Sequence, residues 1–362
     1  MTTEQSGSWP VSLETSVSKA FMAQVLGVSF DRDYYFDPLR RREIDARCHR
    51  YAGRELRDLD AFFTESNLGR RSFYAPDQVP VGGIQPNLIL GMLLGAEFLP
   101  APQGDADISP ACWAGKPAGQ LPEPPSLLEH PLIGLFDRQI DFVRQQERQV
   151  PIPPFFWDGS GRAAVHGALT TAQKFLGEQV FLDLATDPER VRQAMDWITE
   201  ANIVLVRHFA ERCGIRLQEI HVGECSSCMV GGPAWEEFVV PTLSRMATEM
   251  GPVRLHSCGR SRHLLPAFRQ VPGLCSLDLG DEACLPGVRQ LWGAGFPVSL
   301  APPVKLLSGG SLPDWIDWTE RVLKDNGGGC LTILYHLEPP YPLETLRAWR
   351  TWLEQRLARV LA

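Results

Sequence analysis

No stretch of this chain approaches the roughly 20 consecutive apolar residues that a membrane-spanning helix needs, so a membrane partner is not expected. Positive charge is also in short supply. Lys and Arg total 35 against 43 Asp and Glu, for a formal net charge of -8, and the basic residues are scattered. That excludes the basic stripe through which nucleic-acid-binding proteins neutralise phosphates. Met1 to Val17 is polar, with Pro and Ser and no apolar core of a secretory signal, so a cytoplasmic location is expected. A Gly-rich phosphate turn after an early strand is missing as well, which disfavours a flat, doubly wound nucleotide-binding sheet. Nine cysteines are present. In a long chain without an export signal they read as reduced thiols, not as a disulfide framework.

The first 70 or so residues differ from the rest. Arg40-Arg41-Arg42, Arg47, Arg50, Arg54 and Arg57 alternate with acidic residues between Asp37 and Asp60, a solvated helical pattern. Residues 1–75 are therefore expected to form a largely helical N-terminal extension, and residues 76–362 the main domain. From Val79 onward, brief apolar runs that end in Gly, Pro or polar residues alternate with segments of helical period. Strands are expected at Ile152 to Trp157, Ala163 to Leu169, Leu217 to Val222, Val253 to Leu255, Cys275 to Leu279, Pro297 to Leu300 and Leu331 to Tyr335. Asp187-Pro188-Glu189 supplies a capping Asp and a first-turn Pro for a long helix that reaches Gly214. Helices are likewise expected over Pro233 to Met250 and Pro313 to Asn326, each ahead of a strand. Repeated strand-helix-strand units imply a parallel sheet, and the expected fold is an α/β (β/α)8 TIM barrel. Pro100 to Pro125, rich in Pro and Gly, reads as a long surface loop of lid type.

In such a barrel, active groups sit where strands end and loops begin. His166, Glu224, His256, Cys258 and Asp278 fall at expected strand ends, and His221 lies within one; Cys330 lies at a strand start, which fits less well. His256-Ser257-Cys258 is the most informative of these. In an extended strand, residues two apart share a face, so His256 and Cys258 can grip one ion while Ser257 points away. Two thiolates and an imidazole suit zinc, and three protein ligands leave a fourth position for substrate. Cys330, after Gly327-Gly328-Gly329, is the expected third ligand, brought in by a flexible approach. Cys225-Ser226-Ser227-Cys228 is a rival thiol pair at the same expected edge. It lacks partner ligands and the helix start of a redox motif, and reads as two reduced loop cysteines, with the alternative that one of the thiols enters the site.

From His166-Gly167-Ala168-Leu169-Thr170 through Gly223-Glu224, Gly232-Pro233, His256-Ser257-Cys258-Gly259 and the late Cys330, the chain resembles the uroporphyrinogen decarboxylase superfamily. The nearer likeness is to its zinc-dependent branch of cobamide methyltransferases, the methylcobamide:coenzyme M methyltransferases among them. Arg50-Tyr51-Ala52-Gly53-Arg54 departs from the decarboxylases' Arg-Gln-Ala-Gly-Arg strand and loop, because it sits in a charged segment of helical character. The resemblance implies a methyltransferase with zinc on His256, Cys258 and Cys330, and a corrinoid carried by a partner protein. The other substrate would be a small thiol acceptor or a methylated donor such as a methyl ether; the sequence leaves the direction open. Glu224 is the candidate displaceable ligand or acid-base group, and Asp278 the carboxylate that orients His256. His166 and His221 are candidate substrate contacts. Phe155-Phe156-Trp157 and Trp235 read as core packing. Two alternatives remain: a metal-free, decarboxylase-like enzyme, and a corrinoid-independent thiol methyltransferase.

Overall fold

The computed structural model describes residues 11–64, 77–116 and 120–361. Its strands are β1 (Val11–Val17), β2 (Phe62–Phe63), β3 (Gln78–Pro80), β4 (Phe98–Leu99), β5 (Asp107–Ile108), β6 (Val150–Ile152), β7 (Arg162–His166), β8 (Glu219–Gly223), β9 (Val253–Ser257), β10 (Leu274–Leu279), β11 (Val298–Leu300) and β12 (Leu331–Leu337). Eight of them form one curled sheet in the order β2-β1-β12-β11-β10-β9-β8-β7, with every pairing parallel. Parallel neighbours cannot be joined by a tight turn, so each connection must cross over. Helices Pro188–Cys213, Val240–Met250, Leu285–Trp292 and Leu312–Asn326 provide four of these crossovers. The architecture is α/β and TIM-like. Among the described residues, no ladder joins β2 to β7, the two ends of the sheet. The chain leaving β6 runs along the free edge of β7, where Phe155 O accepts a hydrogen bond from Ala164 N–H at 2.8 Å.

The N-terminal segment is more than an extension. β1 pairs with β12 along its whole length, from Val11↔Leu331 to Val17↔Leu337, and with β2 on its other side. Its apolar residues Val11, Leu13 and Val17 alternate with polar ones, a strand signal that the polar character of the surrounding segment obscured. The Arg-rich stretch is helical over Pro38–Glu55, with Asp37 accepting from Leu39 N–H at 2.9 Å. Ile44, Cys48 and Ala52 line its buried face at four-residue spacing. Arg50 to Arg54 therefore lies inside a helix and forms no strand-and-loop grip. Within the Pro100 to Pro125 loop, β5 turns back to pair antiparallel with β4; residues 117–119 fall outside the described residues. Asp187 caps its helix as expected, accepting from Arg190 N–H at 3.3 Å. Pro233 to Met250 is not one regular helix, because a π-helical turn at Trp235–Val239 interrupts it. Trp235 and Phe155 are buried in the core. No described helix is long and apolar enough to cross a membrane.

One face of the sheet is apolar. Ile220 and Val222, Val253 and Leu255, and Leu277 and Leu279 all point into the main hydrophobic core. The alternate positions on the same strands are polar, and the register aligns them: His221 beside Arg254, His256 beside Asp278, Asp278 beside Ser299. Arg254 Nη1 lies 2.8 Å from His221 Nδ1, while Nη2 donates to Asp278 Oδ2 at 3.1 Å and Ser299 Oγ at 3.3 Å. Arginine only donates, so His221 Nδ1 accepts and the neutral ring carries its proton on Nε2. Both side chains of the Arg254–Asp278 ion pair are 3% exposed. Removing one partner of such a pair strands the other charge, so Arg254→Met is expected to cost about 3–5 kcal/mol. Its thermal unfolding midpoint should fall by several degrees; an unchanged midpoint would show that the pair does not hold this part of the sheet.

Candidate metal centre

His256 and Cys258 sit at the C-terminal end of β9, on the polar face, with Ser257 between them turned the other way. Cys225 opens a short 3-10 turn, Cys225–Met229, just beyond β8. The register of β8 and β9 brings these two strand ends together, since Gly223 pairs with His256 and Glu224 N–H donates to His256 O at 2.9 Å. As a result, one donor atom each from Cys225, His256 and Cys258 lies within 4.8 Å of the other two. Hydrogen bonds from Cys225 and from His256 lower the Cys258 thiol to about 4. Cys225 is pushed up, first by donating to Cys258 and then by burial. Burial opposes charge on His256, but Asp278 and Cys258 together raise it to about 9.

Asp278 stands behind His256, its Oδ2 3.1 Å from Nδ1, at ion-pair distance but off the line of a hydrogen bond. Burial disfavours its charge, yet Arg254 and His256 keep it below the ordinary carboxylate range. A carboxylate behind a metal-binding imidazole is the usual way that ring is oriented. The donor set itself fits zinc. Donors on a tetrahedral zinc with Zn–S bonds of about 2.3 Å stand about 3.8 Å apart, within reach of the spread found here. His221 lies on the adjoining strand, its ring centre 6.0 Å from that of His256. Burial and Arg254 keep it well below its ordinary value, hence neutral. His166 ends β7; burial, His256 and Lys174 lower it to about 4, and its Nδ1 has no hydrogen-bond partner among the described residues.

Glu224 is adjacent to this cluster but aimed elsewhere. Its Oε1 accepts from Leu169 N–H at 3.0 Å, and Oε2 from Thr170 N–H at 3.1 Å and from the Thr170 hydroxyl at 2.9 Å. It thus satisfies the open N-terminus of helix Ala168–Leu176, whose own N-cap is Gly167. A Cβ on Gly167 would stand 2.1 Å from Glu224 Cδ, so glycine is what lets the carboxylate approach. Burial raises Glu224 to about 7 against the pull of those three hydrogen bonds. Thr170 Oγ1 also accepts from Ser226 N–H at 3.1 Å, tying the Cys225 turn to the same helix. The contacts give Glu224 the work of anchoring the loop that presents Cys225.

Cys330 is not brought to His256 and Cys258. Leu331 aligns with Val298, Val298 with Leu277, and Leu277 with Leu255. Cys330 is therefore level with Arg254, about 13 Å below Cys258 along the strands and three strands away. It is exposed at the strand start, where its N–H donates to Ala294 O at 2.8 Å and its carbonyl accepts from Arg289 Nη2 at 2.7 Å. Asn326 Nδ2 donates to Gly329 O at 2.6 Å, which ties the glycine approach to the end of the preceding helix. Spacing in the chain could not separate the two ends of β12. The better signal was positional: Cys225 follows a strand, and Cys330 precedes one. Arg254 was also overlooked, although a charge between Val253 and Leu255 marks a strand position facing other polar groups.

No family model matches the chain, and no curated protein does. Among solved structures it is similar to a methyltransferase from Methanosarcina mazei, with 15% sequence identity and a TM-score of 0.61. The alignment covers 96% of this chain and 94% of that one. At that identity the likeness is one of fold.

The geometry separates two cysteines cleanly. Purified wild-type protein loaded with zinc should hold about one ion per chain; Cys225→Ala should bind it much more weakly and Cys330→Ala should keep it. Metal analysis after gel filtration reads the difference. Loss in Cys330→Ala with retention in Cys225→Ala would refute the assignment.

Proposed function

We propose that the chain is a zinc-dependent methyltransferase that moves a methyl group between a corrinoid, carried by a partner protein, and a small thiol or a methylated substrate such as a methyl ether. The observation that carries this reading is the cluster of Cys225, His256 and Cys258 at the C-terminal ends of parallel strands, where enzymes of this architecture keep their active groups. The fold likeness over nearly the whole chain to a protein described as a methyltransferase supports it. Zinc bound there would lower the pKa of a thiol or polarise an oxygen that must leave. The chain's own groups do the rest. Asp278 orients His256, and Arg254 fixes Asp278. Neutral His166 and His221 add no competing positive charge beside the centre. Glu224 holds the Cys225 turn against helix Ala168–Leu176.

The cobalt absorption of a free cobamide tests the reaction. Zinc-loaded protein under anaerobic conditions should demethylate methylcobalamin in the presence of a small thiol, or methylate reduced cobalamin from a methyl ether. Cys258→Ala should slow the reaction at least about a hundredfold, the scale on which an electrostatic contribution is lost. A zinc-loaded protein that turns over neither cobamide would overturn the proposal. Thiol methylation from a folate alone would favour the corrinoid-independent alternative.

A further inference from the structure

Cys228 is not among the three clustered donors, yet two features place its thiol beside the strand end that carries Cys258. In a 3-10 helix, side chains three apart eclipse, so within Cys225–Met229 the side chain of Cys228 rises on the same side as that of Cys225. The second feature lies across the gap, at the residue after Cys258. A Cβ on Gly259 would stand 2.3 Å from Cys228 Sγ and 2.7 Å from Cys228 Cβ, closer than real atoms approach. Only a glycine at 259 lets the Cys228 sulfur lie directly against the β9 end that carries Cys258. The neighbouring Met229 is 68% exposed, which leaves the sulfur as the inward-directed group at that end of the turn.

Resting on the zinc reading above, we propose that Cys228 is the fourth ligand of the resting centre, which makes the set three cysteines and one histidine. Three thiolates with one imidazole form a closed zinc site, whereas a catalytic site keeps one position open. The centre is then closed at rest, and it opens by releasing Cys228. The two thiols of the turn are held differently. The Cys225 end is tied down through Ser226 N–H to Thr170 and through the buried carboxylate of Glu224. The Cys228 end has its own ties, Ser227 Oγ to Glu224 O at 2.5 Å and His263 Nε2 2.9 Å from Val230 O, but neither runs to Leu169 or Thr170, so Cys228 is the ligand that can leave without unseating the helix cap.

X-ray absorption at the zinc edge on the zinc-loaded full chain counts sulfur ligands directly. The wild type should show three sulfurs and one nitrogen. Cys228→Ala should keep about one zinc per chain but show two sulfurs, and should release zinc to a chelator at least about tenfold faster. Adding 2-mercaptoethanol to Cys228→Ala should restore the third sulfur. Gly259→Ala, whose new methyl displaces the Cys228 sulfur, should reproduce the two-sulfur spectrum without removing any ligand. Two sulfurs in the wild type, unchanged in Cys228→Ala, would overturn the proposal and leave the three-ligand centre standing. Failure of the wild type to bind zinc would overturn both readings together.

Discussion

The site depends on one buried ion pair, Arg254 with Asp278, at 3.1 Å on the polar face of the sheet. Each ion alone would carry a desolvation penalty of several kcal/mol at that depth. Together, and with His221 and Ser299 also accepting from the guanidinium, they offset that penalty. The pair has directional consequences. A guanidinium that donates to His221 keeps that ring neutral, and a carboxylate held ionised beside Arg254 is available to His256. His256 is thereby set between a fixed anion and the thiols of Cys225 and Cys258.

Parallel register turns this arrangement into a site. Adjacent strand ends stand side by side, so His256 and Cys258 on β9 meet the turn that leaves β8, and Asp278 on β10 meets His256 from the other side. The same register removes Cys330 from contention, because it precedes β12 at the opposite end of the strands. Cys225 and His256 both lower the Cys258 thiol, so the sulfur is poised as a thiolate. Metal binding to such ligands releases protons. Glu224, fully buried, anchors the turn from beneath by capping a helix that belongs to the preceding strand unit.

Much of this was legible in the sequence, and the failures have physical reasons. The βα alternation from Val79 onward was readable because apolar runs and capped helices carry strong local signals, such as Asp187-Pro188. His256, Cys258 and Asp278 were readable because alternation fixes the face and a strand end fixes the edge. β1 escaped notice, since its alternation is short and lies in a polar stretch beside an Arg-rich helix. Cys330 matches the late cysteine of the resembled family in residue type and spacing, and its place ahead of the strand Leu331 to Tyr335 is the signal against it. Cys225 was legible only as one of two thiols at the right strand end, because spacing alone does not say which of Cys225 and Cys228 faces His256. Glu224 could not be assigned from one dimension: only the fold shows that helix Ala168–Leu176 begins beneath it.

The central claim is that one zinc ion is held where β8 and β9 end, by Cys225, His256 and Cys258. A crystal of zinc-loaded protein, measured with X-rays just above the zinc absorption edge, locates the ion by its anomalous signal. The account predicts a single strong peak among those three side chains, with Asp278 behind the imidazole. A peak beside Cys330 at the other end of the strands, or none near His256, would contradict it.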